Sequence, residues 1–261
     1  MISHRQGWAE TCVNPSCASV GSTSNRTLLR GKRGWLVSEA KADVDPVGDF
    51  KEALSGQRFA TVLADPPWQF INRTGKVAPE HRRLSRYDTM GVDDICRLPV
   101  AAQTEATAHL YLWVPNALLP DGLRVMQAWG FTYKSNIVWH KLRKDGGSDG
   151  RGVGFYFRNV TEILLFGTRG KNARTLQPGR TQVNYLGTRK REHSRKPDEQ
   201  YRLIESCSPG SYLELFARGT RAGWTSWGNQ ATAAYEPTWN TYSHNSTAER
   251  QLSLGGPDEL V

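Results

Sequence analysis

The stretch Phe59-Ala-Thr-Val-Leu-Ala-Asp-Pro-Pro-Trp68 decides the fold of this 261-residue chain. Its first six residues form a short, partly β-branched apolar run that prolines follow, which predicts a buried strand of an α/β sheet rather than a helix. In such sheets, functional groups gather just beyond the carboxyl ends of the strands. Asp65 lies at that position, so we expect its carboxylate to belong to a site.

The two prolines after Asp65 predict a sharp corner. Pro66 and Pro67 fix the backbone and remove two N–H donors, so we expect a rigid turn that presents the carboxylate and free carbonyl oxygens. Trp68 is expected to add a flat face beside these acceptors. Acceptors next to an aromatic plate suit a planar base that carries an exocyclic amine. The alternative is a simple exit from the strand, with Trp68 in the core.

Strands and helices alternate through the middle of the chain. We expect strands at 59–64, 109–114, 131–140, 161–166, 211–217 and 224–227, and helices at 49–55, 92–97, 120–129 and 197–207. Pro197 marks the clearest helix start, since Asp198 and Glu199 follow it near the positive end of the helix dipole. This alternation predicts an α/β fold whose mostly parallel sheet is covered by helices on both faces. Polar tails are expected at 1–35 and 232–261, around one domain.

Composition narrows the function classes. The net charge of +9 and the pI near 9.5 favour a polyanionic partner, of which nucleic acid is the commonest, although a basic protein without such a partner has the same balance. The four cysteines are too few and scattered for a disulfide scaffold, which suggests reduced thiols and a cytoplasmic location. No apolar run approaches the ~20 residues of a membrane span.

Several common site motifs are missing from the sequence. It contains no G-x-G-x-x-G fingerprint and no Walker A sequence, which argues against NAD, FAD and nucleotide hydrolysis chemistry. The six histidines show no metal-ligand spacing, so we expect no metal.

A basic segment precedes the last predicted helix. Nine Lys or Arg residues lie between positions 169 and 196, opposed by Glu192 alone, and the glycines and proline among them predict a loop. We expect Arg189, Lys190 and Arg191 to contact the phosphates of a nucleic acid. Solvated surface charge is the alternative.

Several motifs of the chain resemble, in their order, the MT-A70 family of adenine-N6 methyltransferases, whose hallmark is Asp-Pro-Pro-Trp. The likeness, which is to bacterial or phage members, runs from about Phe59 to Gln230. Besides that hallmark it includes Arg86-Tyr-Asp-Thr-Met90, His109-Leu-Tyr-Leu-Trp-Val114, Val138-Trp-His-Lys141, Lys196-Pro-Asp-Glu199, Leu213-Glu-Leu-Phe216 and Trp227-Gly-Asn-Gln230. The resemblance implies a Rossmann-like methyltransferase domain at 36–231 that uses S-adenosyl-L-methionine to methylate N6 of adenine in nucleic acid.

The resemblance also implies the contacts of the methyl donor. It assigns them to Lys196, Glu214, Phe216, Arg218, Thr220, Asn229 and Gln230. Lys196 would bind the methionine carboxylate of the donor, which agrees with the anion preference of the helix start beside it; a surface lysine is the alternative. Asn229 and Gln230 would pair with the ribose hydroxyls and the adenine edge.

For the substrate, the resemblance places Tyr87 near the target adenine and Glu162 near the substrate, although Glu162 could equally begin an ordinary strand. The catalytic corner would be Asp65, Pro66, Pro67 and Trp68. The absence of zinc fingers or a partner-binding arm favours DNA over RNA. The alternatives are RNA, or a non-catalytic methyltransferase-like scaffold that binds nucleic acid. A homodimer or heterodimer is left open.

Overall fold

The computed structural model describes residues 30–31, 34–35, 45–69, 89–149, 156–189 and 195–231. The chain divides into two compact units, 1–43 and 44–261. In the first unit, strands β1 (Arg30–Gly31) and β2 (Gly34–Trp35) pair antiparallel. Apart from these four residues, the tails expected at 1–35 and 232–261 lie outside the described residues.

All other elements belong to the second unit. Its helices are α1 (Pro46–Ala53), α2 (Val92–Arg97), α3 (Leu119–Ala128) and α4 (Glu199–Cys207). Its strands are β3 (Phe59–Ala64), β4 (Thr104–Val114), β5 (Thr132–Leu142), β6 (Thr161–Arg169), β7 (Tyr185–Arg189), β8 (Tyr212–Leu215) and β9 (Trp224–Trp227). Short 3₁₀ helices lie at Val100–Gln103, Asn116–Leu118 and Gln177–Arg180.

The seven strands of this unit form one sheet in the order β7-β5-β6-β4-β3-β8-β9. Strand β6 is antiparallel to both of its neighbours, and every other neighbouring pair is parallel, so six strands run in the same direction. The predicted α/β fold with a mostly parallel sheet is therefore confirmed.

Helices cover both faces of the sheet, as expected. Val62 of β3 packs in a cluster with Phe50 of α1, Ile95 of α2 and Met126 of α3. Its neighbour Leu63 points to the opposite face and packs in the cluster of helix α4. Because β3 pairs in parallel with both β4 and β8, the carboxyl ends of three central strands meet at one edge of the sheet.

Two differences from the expected elements bear on the candidate site. The basic segment 169–196 is not only a loop, because strand β7 lies within it and pairs with β5, and its central residues Leu186, Gly187 and Thr188 are buried. Helix α4 begins at Glu199, two residues after the predicted start, and Asp198 is its N-cap. Lys196 therefore lies ahead of the helix, outside any helix or strand.

Two negative findings concern the described ranges alone. No helix in them combines the length and the apolar character that a bilayer crossing needs. No three His, Cys, Asp or Glu side chains in them are arranged to hold a metal ion. Cys96 and Cys207 carry free thiols, whereas Cys12 and Cys17 lie outside the described residues. The cytoplasmic location stays a prediction.

Candidate active site

Asp65 directly follows β3, at the edge where the three central strands end. Its N–H donates to the carbonyl oxygen of Leu215 at 3.4 Å, which ties the corner to the end of β8. Its side chain keeps 28% of its surface exposed. A carboxylate is thus held between two strands and remains reachable from outside, as the sequence predicts.

The proline carbonyls of the corner are engaged. The oxygen of Pro66 accepts the N–H of Trp68 at 2.8 Å, and the oxygen of Pro67 accepts the N–H of Met90 at 2.9 Å. The expectation of free carbonyl oxygens is therefore wrong. These bonds instead stiffen the corner, and each oxygen retains a second lone pair for a further donor.

Trp68 is a core residue. Only 5% of it is exposed, its ring packs among the residues beneath α1–α3, and its indole N–H donates to the carbonyl oxygen of Trp113 at 2.9 Å. A buried indole whose N–H is satisfied has no face left for stacking, so the expected stacking plate is wrong and the core alternative holds. Four further tryptophans are buried as well: Trp113, Trp129, Trp139 and Trp224.

An ion pair joins Asp65 to Lys196, 131 residues away in sequence. The Nζ of Lys196 lies 2.8 and 2.9 Å from the two carboxylate oxygens of Asp65. The same Nζ lies 3.4 Å from Oε2 of Glu162, whose Oε1 accepts from Lys141. Charges of alternating sign thus run from Lys141 through Glu162 and Lys196 to Asp65.

Burial and neighbouring charge compete in this chain of ions. Burial alone would lower the pKa of Lys196, but the carboxylates of Asp65 and Glu162 outweigh it and raise the pKa above its ordinary value. Burial alone would raise the pKa of Glu162, but Lys196 and Lys141 outweigh it and hold that pKa below its ordinary value. Both Lys196 and Glu162 are therefore charged at neutral pH. Lys196 is not a surface lysine, since only 13% of its side chain is exposed.

Glu214 lies on β8, next to the strand that ends at Asp65. Its two carboxylate oxygens accept from the hydroxyl of Tyr201 at 2.9 and 3.0 Å. The guanidinium of Arg221 lies 3.7 Å from the centre of the Tyr201 ring. Burial is the main cause that raises the pKa of Glu214 to about 7. This carboxyl therefore changes its charge near neutral pH.

One cleft brings most of the predicted donor residues together. Asp65, Lys196, Glu214, Phe216 and Arg218 line it. Its enclosed volume of about 50 Å³ is too small for a nucleoside, because small-molecule sites measure roughly 300–1,000 Å³. A methyl donor that contains a nucleoside fits only if the side chains that line the cleft move apart. Lys196 and Asp65 together suit the amino acid end of a methyl donor. Lys196 can bind its carboxylate, and Asp65 can accept hydrogen bonds from its N–H groups.

Phe216 has an unusual backbone at this cleft. Its φ of 62° lies in the left-handed region, which a non-glycine residue seldom adopts, and its ring packs edge-on against Trp227 with centroids 5.5 Å apart. Such backbone strain persists where the surroundings enforce it, often at functional sites. The turn directs the chain from β8 toward Arg218.

Some predicted residues lie outside the cleft. Thr220, Asn229 and Gln230 are exposed and do not line it. Arg189 ends β7, while Tyr87, Lys190 and Arg191 lie outside the described residues. The carboxylate of Glu162 is occupied by the two lysines, so the predicted substrate contact of this residue stays a prediction.

Sequence reasoning missed several residues that line the cleft, among them Trp113, Gln200 and Tyr201. Tyr201 could have been found, because it lies on the same predicted helix that Lys196 precedes, and a buried tyrosine hydroxyl needs a partner. Its partner Glu214 is an acidic residue within an otherwise apolar strand, and such a residue also indicates a buried polar contact.

Comparisons with known proteins identify the family of the chain. The sequence pattern of the MT-A70 family matches residues 59–230. The chain is 33% identical over 177 residues to an MT-A70-like N(6)-adenosine-methyltransferase of Arabidopsis thaliana, which covers 66% of this chain and 24% of that protein. It is 30% identical over 177 residues to the human N(6)-adenosine-methyltransferase catalytic subunit METTL3, covering 66% of this chain and 28% of that protein.

A bacterial relative is similar in extent. The chain is 25% identical over 201 residues to the type II methyltransferase M.MunI of a Mycoplasma species, covering 71% of this chain and 83% of that protein. The chain thus spans about a quarter of the plant and human relatives, and most of the bacterial one. Since the family pattern covers residues 59–230, well over half of the chain, the chain belongs to the MT-A70 family.

Proposed function

We propose that this protein transfers a methyl group from S-adenosyl-L-methionine to N6 of adenine in nucleic acid, and that the nucleic acid is DNA. The observation that carries the proposal is the ion pair of Asp65 and Lys196 at the carboxyl end of β3, in one cleft with Glu214. When bound, the donor supplies an electrophilic methyl group. The other parts of the reaction belong to side chains of this protein.

Lys196 binds the carboxylate of the donor and, in doing so, releases Asp65. In the structure Lys196 occupies both carboxylate oxygens of Asp65, which leaves few acceptor positions for a substrate amine. When the Nζ turns to the donor, it keeps Glu162 as a neighbour at 3.4 Å, so the lysine is not left without a counter-charge. Donor binding thereby makes Asp65 ready to accept.

Asp65 accepts the N–H groups of the target amine. The lone pair of adenine N6 is delocalised into the ring, which makes this nitrogen a poor nucleophile. A carboxylate that accepts its hydrogens localises the lone pair and meets the positive charge that develops on nitrogen. The bonded proline corner keeps this acceptor in place, so orientation supplies much of the remaining acceleration.

Glu214 accepts hydrogen bonds from ribose hydroxyls of the donor. Tyr201 holds the carboxylate, and with a pKa of about 7 the group can meet the donor as an anion at neutral pH. A charged acceptor makes stronger hydrogen bonds than a neutral one. In this proposal Asn229 and Gln230 add contacts to the ribose and adenine of the donor, and Phe216, Arg218 and Thr220 lie around it.

The substrate contacts remain proposals from the family resemblance and from charge. Tyr87 and Glu162 face the target base, and Arg189, Lys190 and Arg191 contact phosphates. Within a duplex, the base must leave the stack, which costs a few kcal/mol.

Two observations bear on DNA against RNA. The match to the type II methyltransferase runs over 83% of that protein, against about a quarter of the N(6)-adenosine-methyltransferases, which supports DNA as the substrate. The higher identity to the N(6)-adenosine-methyltransferases, 30–33% against 25%, favours RNA as the second candidate.

A labelled-donor assay tests the proposal. Purified protein is incubated with isotopically labelled S-adenosyl-L-methionine and single- or double-stranded DNA or RNA, and the nucleosides are then separated. We expect label in N6-methyldeoxyadenosine. Label in N6-methyladenosine alone would show that the substrate is RNA and not DNA. No label in any polymer would contradict methyl transfer and favour the non-catalytic scaffold.

A further inference from the structure

A second cavity of about 540 Å³ lies apart from Asp65, within the size range of small-molecule sites. Its walls are the first half of β5, the end of β6, the segment 173–184 and the second half of α4. Among the described residues, none lines both this cavity and the cleft of Asp65. Strand β5 is three strands from β3, about 14 Å at the usual strand spacing.

The walls of the cavity are fixed by specific contacts. The N–H of Leu176 donates to the carbonyl oxygen of Cys207 at 2.8 Å, and the N–H of Val138 donates to that of Asn184 at 3.0 Å. At Gly179, a Cβ would lie 2.9 Å from the Cβ of Thr175, so the segment packs too closely there for any side chain. Hydrogen-bonded backbone therefore fixes the walls of the cavity, which opens to solvent beside exposed residues such as Lys134 and Val183.

The cavity carries positive charge. Lys134, Arg174 and Arg180 line it, and none of its described lining residues is acidic. Within the described ranges these three side chains form no ion pair. Three like charges around one cavity repel each other, and an anion would relieve that repulsion. Guanidinium groups in particular match the oxygens of a phosphate.

Other walls of the cavity are apolar and aromatic. Phe166, Tyr111 and Ile137 contribute rings and an aliphatic surface, and Asn136 and Gln182 contribute amide groups. Inorganic phosphate alone would use only the cations and leave the apolar walls uncovered. A ligand with a planar aromatic group on one side and a phosphate on the other would use all three kinds of lining group.

We infer that this cavity binds a nucleotide, with its base against Phe166 and its phosphate among Lys134, Arg174 and Arg180. The amides of Asn136 and Gln182 face the polar edge of the base. A free mononucleotide and an unpaired nucleotide of a bound strand share this chemistry. In the second case the inference rests on the proposed function, since the strand would then be the methylated polymer or its neighbour.

Binding experiments with uridine ligands test the inference, because they contain no adenine that the methyl-transfer site would accept. Calorimetry compares uridine, uridine 5′-monophosphate and a short oligouridylate. The variants are Arg174→Ala/Arg180→Ala, which removes two charges, and Val183→Trp, which fills the cavity from a half-exposed position. Lys51→Ala/Lys144→Ala is the charge-matched control, because both lysines are exposed and neither lines the cavity.

We expect the phosphate-bearing ligands to bind the wild type more tightly than uridine. Both test variants should weaken this binding about tenfold or more, Arg174→Ala/Arg180→Ala through the loss of charge-assisted contacts and Val183→Trp because its ring occupies the cavity, and the control should not. Binding of the monophosphate supports a free nucleotide, whereas binding of the oligomer alone supports a strand. Wild-type protein that binds neither, or variants that bind both as wild type does, would overturn the inference. Methyl transfer is measured separately, so failure of the proposed function would be seen independently.

Discussion

Asp65 and Lys196 neutralise each other at the edge of the sheet where three strands end. Both carboxylate oxygens of Asp65 accept from one ammonium group at 2.8–2.9 Å. Each residue can be predicted separately from its motif, but their contact cannot, because it depends on how the chain between them folds. A ligand that binds Asp65 must therefore compete with Lys196, and a ligand that binds Lys196 must compete with Asp65.

Replacing Lys196 should weaken donor binding. We expect Lys196→Ala to cost about 1.5–3 kcal/mol of S-adenosyl-L-methionine affinity, because one charge-assisted contact is lost. Calorimetry without added metal measures it, with Lys51→Ala as an exposed control. Unchanged affinity in a folded Lys196→Ala protein would remove this lysine from the donor site.

Glu214 should make stability depend on pH. Burial raises its pKa from 4.5 to about 7, so between these values the unfolded chain loses the proton first and the free energy of unfolding falls as pH rises. The shift corresponds to about 3 kcal/mol. Glu214→Gln removes this fall, and denaturant unfolding from pH 4.5 to 7.5 measures the difference between variant and wild type.

Two features keep this measurement specific. The pKa of Glu162 lies below its ordinary value of 4.5, so that group titrates below the window. Burial lowers the pKa of His109, whose contribution to stability rises with pH, but this is common to both proteins and cancels in the difference. The exposed control Glu52→Gln should leave the pH dependence as it is. A constant difference between Glu214→Gln and wild type would contradict the account.

At the scale of elements, hydrophobic periodicity predicts helices and strands that pack one face on the core. It does not predict elements that form only because a neighbouring strand is present. Helix α2 occurs at its predicted bounds, and β3 and β9 do too, because their apolar residues face the core directly. The sequence pattern does not predict strand β7, because its short sequence lies between arginines and contains Gly187. It is a strand because β5 offers it an edge, which no local pattern shows.

Helix α3 packs closely on β4, at the end nearest the site. A Cβ on Gly122 would lie 2.5 and 2.8 Å from the two methyl carbons of Val114. We expect Gly122→Ala to lower the free energy of unfolding by about 1–3 kcal/mol through overpacking, less a gain of about 0.5–1 kcal/mol in helix propensity. Chemical denaturation measures it. Gln127→Ala, exposed on the same helix, should change little, and a stabilised Gly122→Ala protein would contradict this packing.

At the scale of the whole molecule, a net charge of +9 should make the affinity for nucleic acid depend on salt concentration. Neutralising Arg189, Lys190 and Arg191 together should weaken binding to all DNA sequences about equally, because phosphate contacts carry little sequence information. The slope of log affinity against log salt should flatten by about 0.9 for each lost phosphate contact. Fluorescence titrations at several salt concentrations measure the slope. An unchanged slope would make these residues solvated surface charge.

Asp65 offers the most direct test of the central claim, methyl transfer to adenine with Asp65 as the acceptor. The variants are Asp65→Ala and the nearly isosteric Asp65→Asn, and the rate of transfer from labelled donor to adenine is measured beside nucleic-acid affinity. Circular dichroism should show a retained fold, because Lys196 keeps Glu162 as a partner. We predict a loss of about 10²–10³ in rate, with little loss of nucleic-acid affinity. A folded Asp65→Ala protein that methylates adenine at nearly the wild-type rate would contradict the account.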